Sequence, residues 1–179
     1  GMKEQCYGAE IEMTGITREE AAQALADYFG TTPEYLEGTY DAWIVTDKMG
    51  KKWELMSDSS IHPECPSADG YLWLDKSSPE GYPYKVEMVT PKLTYDELPH
   101  LQECMRRVTA IGAKVNDSCG LHVHVDASNH NRQSLKNLIS IMYSKEDLLF
   151  KALQVNENRA RQYCQKVREP MLKEARTLS

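Results

Sequence analysis

Tyr7-Gly8-Ala9-Glu10-Ile11-Glu12-Met13 alternates apolar and acidic side chains, with Ala9, Ile11 and Met13 on one side and Glu10 and Glu12 on the other. That two-residue period is the mark of a β-strand with one face in a core and one face polar. A helix is expected next. Thr17 and Glu20 have the spacing of a capping box, and Ala21, Ala24, Leu25, Tyr28 and Phe29 form an apolar stripe that Gly30 ends.

Further along, Ala42 to Thr46 and Lys52 to Met56 flank Asp47-Lys48-Met49-Gly50-Lys51 and predict a β-hairpin. Residues 57–82 hold Pro63, Pro66, Pro79, Gly70 and Gly81, and predict an irregular loop. Tyr84 to Thr90 predicts a strand ended by Pro91, followed by a second capping box at Thr94 and Glu97 and a helix to about Gly112. Leu121-His122-Val123-His124-Val125-Asp126 alternates like the first strand, with the histidines and Asp126 opposite the apolar residues. A long helix is expected from near Arg132, with helical character continuing past Leu153. Alternating strands interspersed with amphipathic helices define an α+β class, a mainly antiparallel sheet with helices packed on one face and a polar open face.

At 179 residues the length suits a single domain over 1–179. A net charge of −6 argues against a broad nucleic-acid-binding surface, and no apolar run is long enough to suggest a membrane span. Five scattered cysteines without a Cys-x-x-Cys pair fit reduced thiols in a cytoplasmic protein. Gly1 ahead of Met2 has the form of a residue left by a cleaved tag, so the natural chain is expected to begin at Met2.

Candidate chemistry gathers on the polar strand faces. Glu10 and Glu12 project from the same side about 7 Å apart along the strand. Two like charges there repel unless a cation or basic groups lie between them, although a lone Glu-x-Glu more often marks a solvated face. His122 and His124 share that geometry, and can reach one ion or serve as hydrogen-bonded structural histidines. Glu87 is a charge inside the apolar run Val86-Glu87-Met88-Val89, costly to bury without a partner. Asp58 and Ser60 stand where a strand gives way to a loop, a place for binding groups and for ordinary turn residues. Arg159 and Arg161 have the chemistry to hold a phosphate or carboxylate, and equally to face water. If the strands are neighbours, Glu10, Glu12, Glu87, His122 and His124 converge in an oxygen-rich set that suits Mg²⁺ or Mn²⁺ better than structural zinc.

The order of these motifs, Gly8-Ala9-Glu10-Ile11-Glu12, then Trp53 to Ser60, Val86 to Pro91, Asn116 to Val125 and Asn158 to Cys164, resembles the amidoligase family. That family is a branch of the carboxylate-amine ligases that share the glutamine synthetase fold. The resemblance runs from Tyr7 to about Cys164, and its most specific part is Asn116 to His124. It implies a catalytic-domain fold like that of glutamine synthetase and an ATP-dependent ligase that forms an amide through an acyl-phosphate intermediate. Glu10, Glu12 and Glu87 would hold the metals and His122 would bind metal or the ATP γ-phosphate, with the three glutamates, Arg159 and Arg161 serving catalysis. His124 would lie near the nucleotide, Asn116 and Gly120 would shape the substrate pocket, and Asp58 and Ser60 would join the cofactor site.

The implied cofactors are ATP and Mg²⁺ or Mn²⁺, and the implied partners are a carboxylate and an amine, small molecule or peptide. Family members usually carry a later strand with a Glu-x-Arg motif that this sequence lacks. Either the sequence is a fragment or the protein lacks part of the active site, and a homo-oligomer or a completing partner chain is a further expectation. Two rival readings stand beside this one. One is a metal-dependent hydrolase or cupin-like oxygenase using His122 and His124, and the other a non-catalytic relative that binds nucleotide or metal.

Overall fold

The computed structural model describes residues 5–155, 157–162 and 165–177. The chain divides into two compact units, Gly1–Asp126 and Ala127–Ser179.

The first unit is built on a six-stranded antiparallel sheet. Its strands are β1 (Tyr7–Met13), β2 (Glu34–Leu36), β3 (Ala42–Thr46), β4 (Lys52–Met56), β7 (Val86–Val89) and β8 (Leu121–Val125), in the order β2-β3-β4-β7-β1-β8. Helices α1 (Arg18–Phe29) and α2 (Leu98–Ala110) supply most of the rest of the core, with Ile16 and Leu93 added from the connecting segments. Met13, Val45, Trp53, Leu55, Val86 and Met88 from the sheet pack with Leu25, Ala26 and Phe29 of α1 and Cys104 and Val108 of α2. Burying each large apolar side chain of this set contributes about 1.5–3 kcal/mol.

Both expected capping boxes are present. The Glu20 backbone N–H donates to Thr17 Oγ1 at 3.2 Å and the Thr17 N–H donates to Glu20 Oε2 at 2.7 Å, while Gly30 closes α1 with φ at 69°. Thr94 and Glu97 do the same for a short 3-10 turn leading into α2. In the β3–β4 hairpin, Asp47 Oδ1 accepts from the Met49 and Lys51 backbones, and Gly50 takes a φ of 79°.

Three sequence expectations change. Residues 57–82 are not wholly irregular, because Glu64–Ser67 and Gly70–Trp73 pair as a separate two-stranded sheet, β5 and β6. Pro66 is tolerated there, since a strand with one partner has a side on which a missing N–H costs no ladder bond. The sheet also gains an edge strand, β2, whose three exposed residues have no alternation to betray it. Finally, Tyr82–Tyr84 form a 3-10 turn, so β7 begins at Val86 rather than Tyr84. In β8 all five residues are exposed, Leu121, Val123 and Val125 at 63, 55 and 55%. The strand sits at the sheet edge.

The second unit contains α3 (Arg132–Ala152), α4 (Glu157–Gln162) and α5 (Glu169–Thr177). Asn131 caps α3 by accepting from Ser134 N at 2.9 Å. Helix α3 packs against α5, Leu172 of α5 is buried, and Glu146 of α3 accepts from the Val167 N–H at 2.8 Å. Among the described residues, no helix is long and apolar enough to cross a membrane.

Candidate functional site

Strand β1 lies between β7 and β8, and this order brings the polar residues together. Glu12 pairs directly with Glu87 across β1 and β7, and Met56 pairs with Glu87 on its other side. Asp58 follows Met56 by two residues, just after β4 ends. One carboxylate oxygen each from Glu12, Asp58 and Glu87 lies within 4.8 Å of the others. Glu12 is buried at 6% exposure, and its Oε2 accepts from the Gly120 backbone N–H at 2.6 Å. Asp58 Oδ1 accepts from the Ser60 N–H at 2.6 Å, so Asp58 shapes its turn while facing the other acids.

Burial first, and then the charges of Asp58, Glu10 and Glu12, push the Glu87 carboxyl up to about 7, with His122 pulling the other way. Three carboxylate oxygens this close to one another are the donor chemistry of a hard divalent cation. The residues present therefore fit Mg²⁺ or Mn²⁺, with Glu12, Asp58 and Glu87 as the group that would hold it.

Glu10 stands beside this cluster and faces the histidines. Its two oxygens contact His122 Nδ1 at 3.1 Å and His124 Nε2 at 3.0 Å. An ionised carboxylate only accepts hydrogen bonds, so it favours the proton on His122 Nδ1 and on His124 Nε2. Neutral rings would then present lone pairs at His122 Nε2 and His124 Nδ1, ready for a ligand or a proton. His124 also borders a surface depression with Cys6, Gly8, Lys92 and Asp126, where Lys92 pairs with Asp126 at 3.2 Å.

Asn116 and Ser60 occupy other positions. The Asn116 side chain bonds His62 O, Glu64 Oε2 and Ser118, while Ser60 contributes its backbone N–H to the Asp58 turn. Gly120 acts through its N–H on Glu12. Arg159 and Arg161 belong to α4 of the second unit, where Arg161 contacts Glu157 at 3.4 Å. Tyr163 and Cys164 of the same sequence motif lie outside the described residues.

Two buried cations escape sequence reasoning. Arg18, 2% exposed, donates to Asp41 O at 2.9 Å, Tyr82 O at 2.7 Å and Lys85 O at 2.9 Å, and pairs with the Asp41 carboxylate. It thereby anchors the lead-in to β7. Lys85, 7% exposed, donates to Lys76 O at 2.5 Å. Burial and the Lys76 charge push its ammonium below the usual lysine range, and Asp58 opposes them. No periodicity marks either residue, although the N-terminal place of Arg18 after a cap could have flagged a side chain turned back from the helix.

The fold and site define an α+β protein whose central sheet gathers carboxylates suited to a divalent cation, with two carboxylate-oriented histidines alongside. A family model described as "Putative amidoligase enzyme" matches residues 3–179. The chain belongs to this amidoligase family, whose description is that of a ligase forming amide bonds. Comparisons with curated proteins and with solved structures gave no match.

Proposed function

We propose that this chain is an ATP-dependent carboxylate-amine ligase with a glutamine-synthetase-like catalytic fold. The observation that carries the reading is the convergence of Glu12 and Glu87, on the adjacent strands β1 and β7, with Asp58 of the loop after β4, and of Glu10, His122 and His124 beside them. Phosphoryl transfer demands charge neutralisation and positioning more than covalent help from the protein. A bound Mg²⁺ or Mn²⁺ would supply that neutralisation at the ATP phosphates.

In the proposed reaction a substrate carboxylate oxygen attacks the γ-phosphorus and ADP departs, leaving an acyl phosphate. The amine nitrogen then attacks the acyl carbon, inorganic phosphate leaves, and the nitrogen gives up a proton. Glu12, Asp58 and Glu87 bind the cation; Glu10 orients the two imidazoles. His122 Nε2 and His124 Nδ1 are the atoms placed to bond phosphate oxygens or accept that proton. The hydrolase or oxygenase reading, which takes His122 and His124 as the metal ligands, has less support, because both imidazoles bond Glu10 while the oxygens that converge are those of Glu12, Asp58 and Glu87.

The test is calorimetric titration of Mg²⁺ with ATP, and then with ADP, into the chain and into a Glu10→Ala, His122→Ala double variant, followed by phosphate release over a panel of acids and amines. Metal-dependent nucleotide binding lost in the double variant supports the site, and phosphate release supports the ligase. Binding with no turnover favours the non-catalytic relative, and no binding by a folded chain overturns the reading.

A further inference from the structure

Between the turn at Asn116 and the loop after β4 runs a set of hydrogen bonds that the ligase reading does not use. Asn116 Nδ2 donates to His62 O at 3.0 Å and to Glu64 Oε2 at 2.8 Å. Asn116 Oδ1 accepts from the Ser118 N–H at 3.0 Å and from Ser118 Oγ at 2.5 Å. Ser118 Oγ in turn accepts from the His62 N–H at 2.8 Å. Both amide hydrogens and the carbonyl oxygen of Asn116 are thus engaged by protein.

The two ends of this set matter. His62 closes the loop that carries Asp58, four residues upstream. Ser118 opens the segment whose Gly120 N–H holds Glu12 Oε2 at 2.6 Å, while Gly120 O accepts from the Glu12 N–H at 3.0 Å. The segment that carries Asp58 and the segment that holds the Glu12 carboxylate are therefore joined by the Asn116 amide, together with the Ser118 hydroxyl that it accepts from. Glu64, 2% exposed, anchors the same junction: its backbone N–H donates to Thr14 Oγ1 at 2.8 Å and its side chain accepts from Lys114 at 2.8 Å.

We propose that Asn116 is a positioning residue that fixes the spacing of Asp58 and Glu12, and through it the affinity of the cation site, without touching the cation. The proposal rests on the metal-site reading above. Groups that orient metal ligands typically change affinity by about 10- to 100-fold when removed. Lys114 supplies the control, since its ammonium bonds Glu64 as Asn116 does but lies over the Tyr71 ring, away from the His62–Ser118 link.

The experiment titrates Mn²⁺ alone, reading free ion by its electron paramagnetic resonance signal, into the wild-type chain and the Asn116→Ala, Ser118→Ala and Lys114→Ala variants, with thermal unfolding measured for each. Asn116→Ala is expected to weaken Mn²⁺ binding about 10-fold or more, and to broaden the bound-ion spectrum as the ligand geometry loosens. Ser118→Ala is expected to lower affinity by a smaller factor, and it carries the test if Asn116→Ala does not fold. Lys114→Ala is expected to lower the melting temperature while holding affinity within about two-fold, the independence expected of a group outside the linkage. Unchanged affinity in the folded Asn116 variant, or an equal loss in the Lys114 variant, overturns the positioning role alone. A wild-type chain that binds no Mn²⁺ overturns the metal-site reading, and this inference with it.

Discussion

Replacing Glu87 with Gln should stabilise the metal-free fold at alkaline pH and do so only there. Glu87 faces Glu12 directly across β1 and β7, with Asp58 and Glu10 nearby, and its carboxyl is pushed from 4.5 up to about 7. A carboxyl whose folded value exceeds its unfolded value binds more protons in the folded state. Stability therefore falls as pH rises from about 4.5 to 7, is lowest above 7, and recovers on acidification. That span corresponds to about 3 kcal/mol at most, and because Glu87 is partly exposed a value of about 1–2 kcal/mol is expected after screening. The assay is urea unfolding in chelator at pH 8 and pH 5, followed by tryptophan fluorescence. Trp43, Trp53 and Trp73 all lie in the first unit, so the signal reports that unit alone. Glu87→Gln should gain about 1–2 kcal/mol at pH 8 and almost none at pH 5. No gain at pH 8, or an equal gain at both, would refute the reasoning.

Arg18→Ala should cost about 3–5 kcal/mol in the same assay, because it leaves buried carbonyls of Tyr82 and Lys85 without their donor, and Arg18→Lys should restore little of it. Gly15→Ala should destabilise by about 2 kcal/mol or more: φ is 85°, and a Cβ would stand 2.6 Å from Gly112 O, a contact measurable as a lowered urea midpoint. Thr17→Ala should cost about 1 kcal/mol through loss of the α1 cap, while leaving Mn²⁺ affinity unchanged by titration.

The polar faces of β1, β7 and β8 were legible because period two assigns faces without knowledge of neighbours, and Glu10, Glu12, Glu87, His122 and His124 all follow from it. The caps at Thr17 and Thr94 were legible because capping is local. Membership of Asp58 in the carboxylate cluster was not, since it depends on β4 ending beside Glu87 rather than on any pattern within Ser57 to Ser60. Glu64 was hidden for a similar reason. An acid in a proline-rich stretch reads as solvated, and only its contacts with Lys114, Asn116 and Thr14, from distant parts of the sequence, permit its burial. The β5–β6 hairpin was masked by Pro66 and Gly70, whose breaking tendency matters little in a pair with no third strand.

The position of β1 between two strands that both come later has a consequence for the order of folding. Glu10 meets His122 across 112 residues of chain, and Gln5 meets the Asp126 carbonyl across 121. Loop closure over such separations is slow compared with forming α1 or the β3–β4 hairpin. At about 5–20 residues per second, ribosomal synthesis leaves Glu10 without His122 for about 6–22 seconds after it is made. For most of that interval, until β7 is made, the first strand to emerge has neither neighbour, and its acidic face keeps an incomplete sheet charged and solvated while it waits.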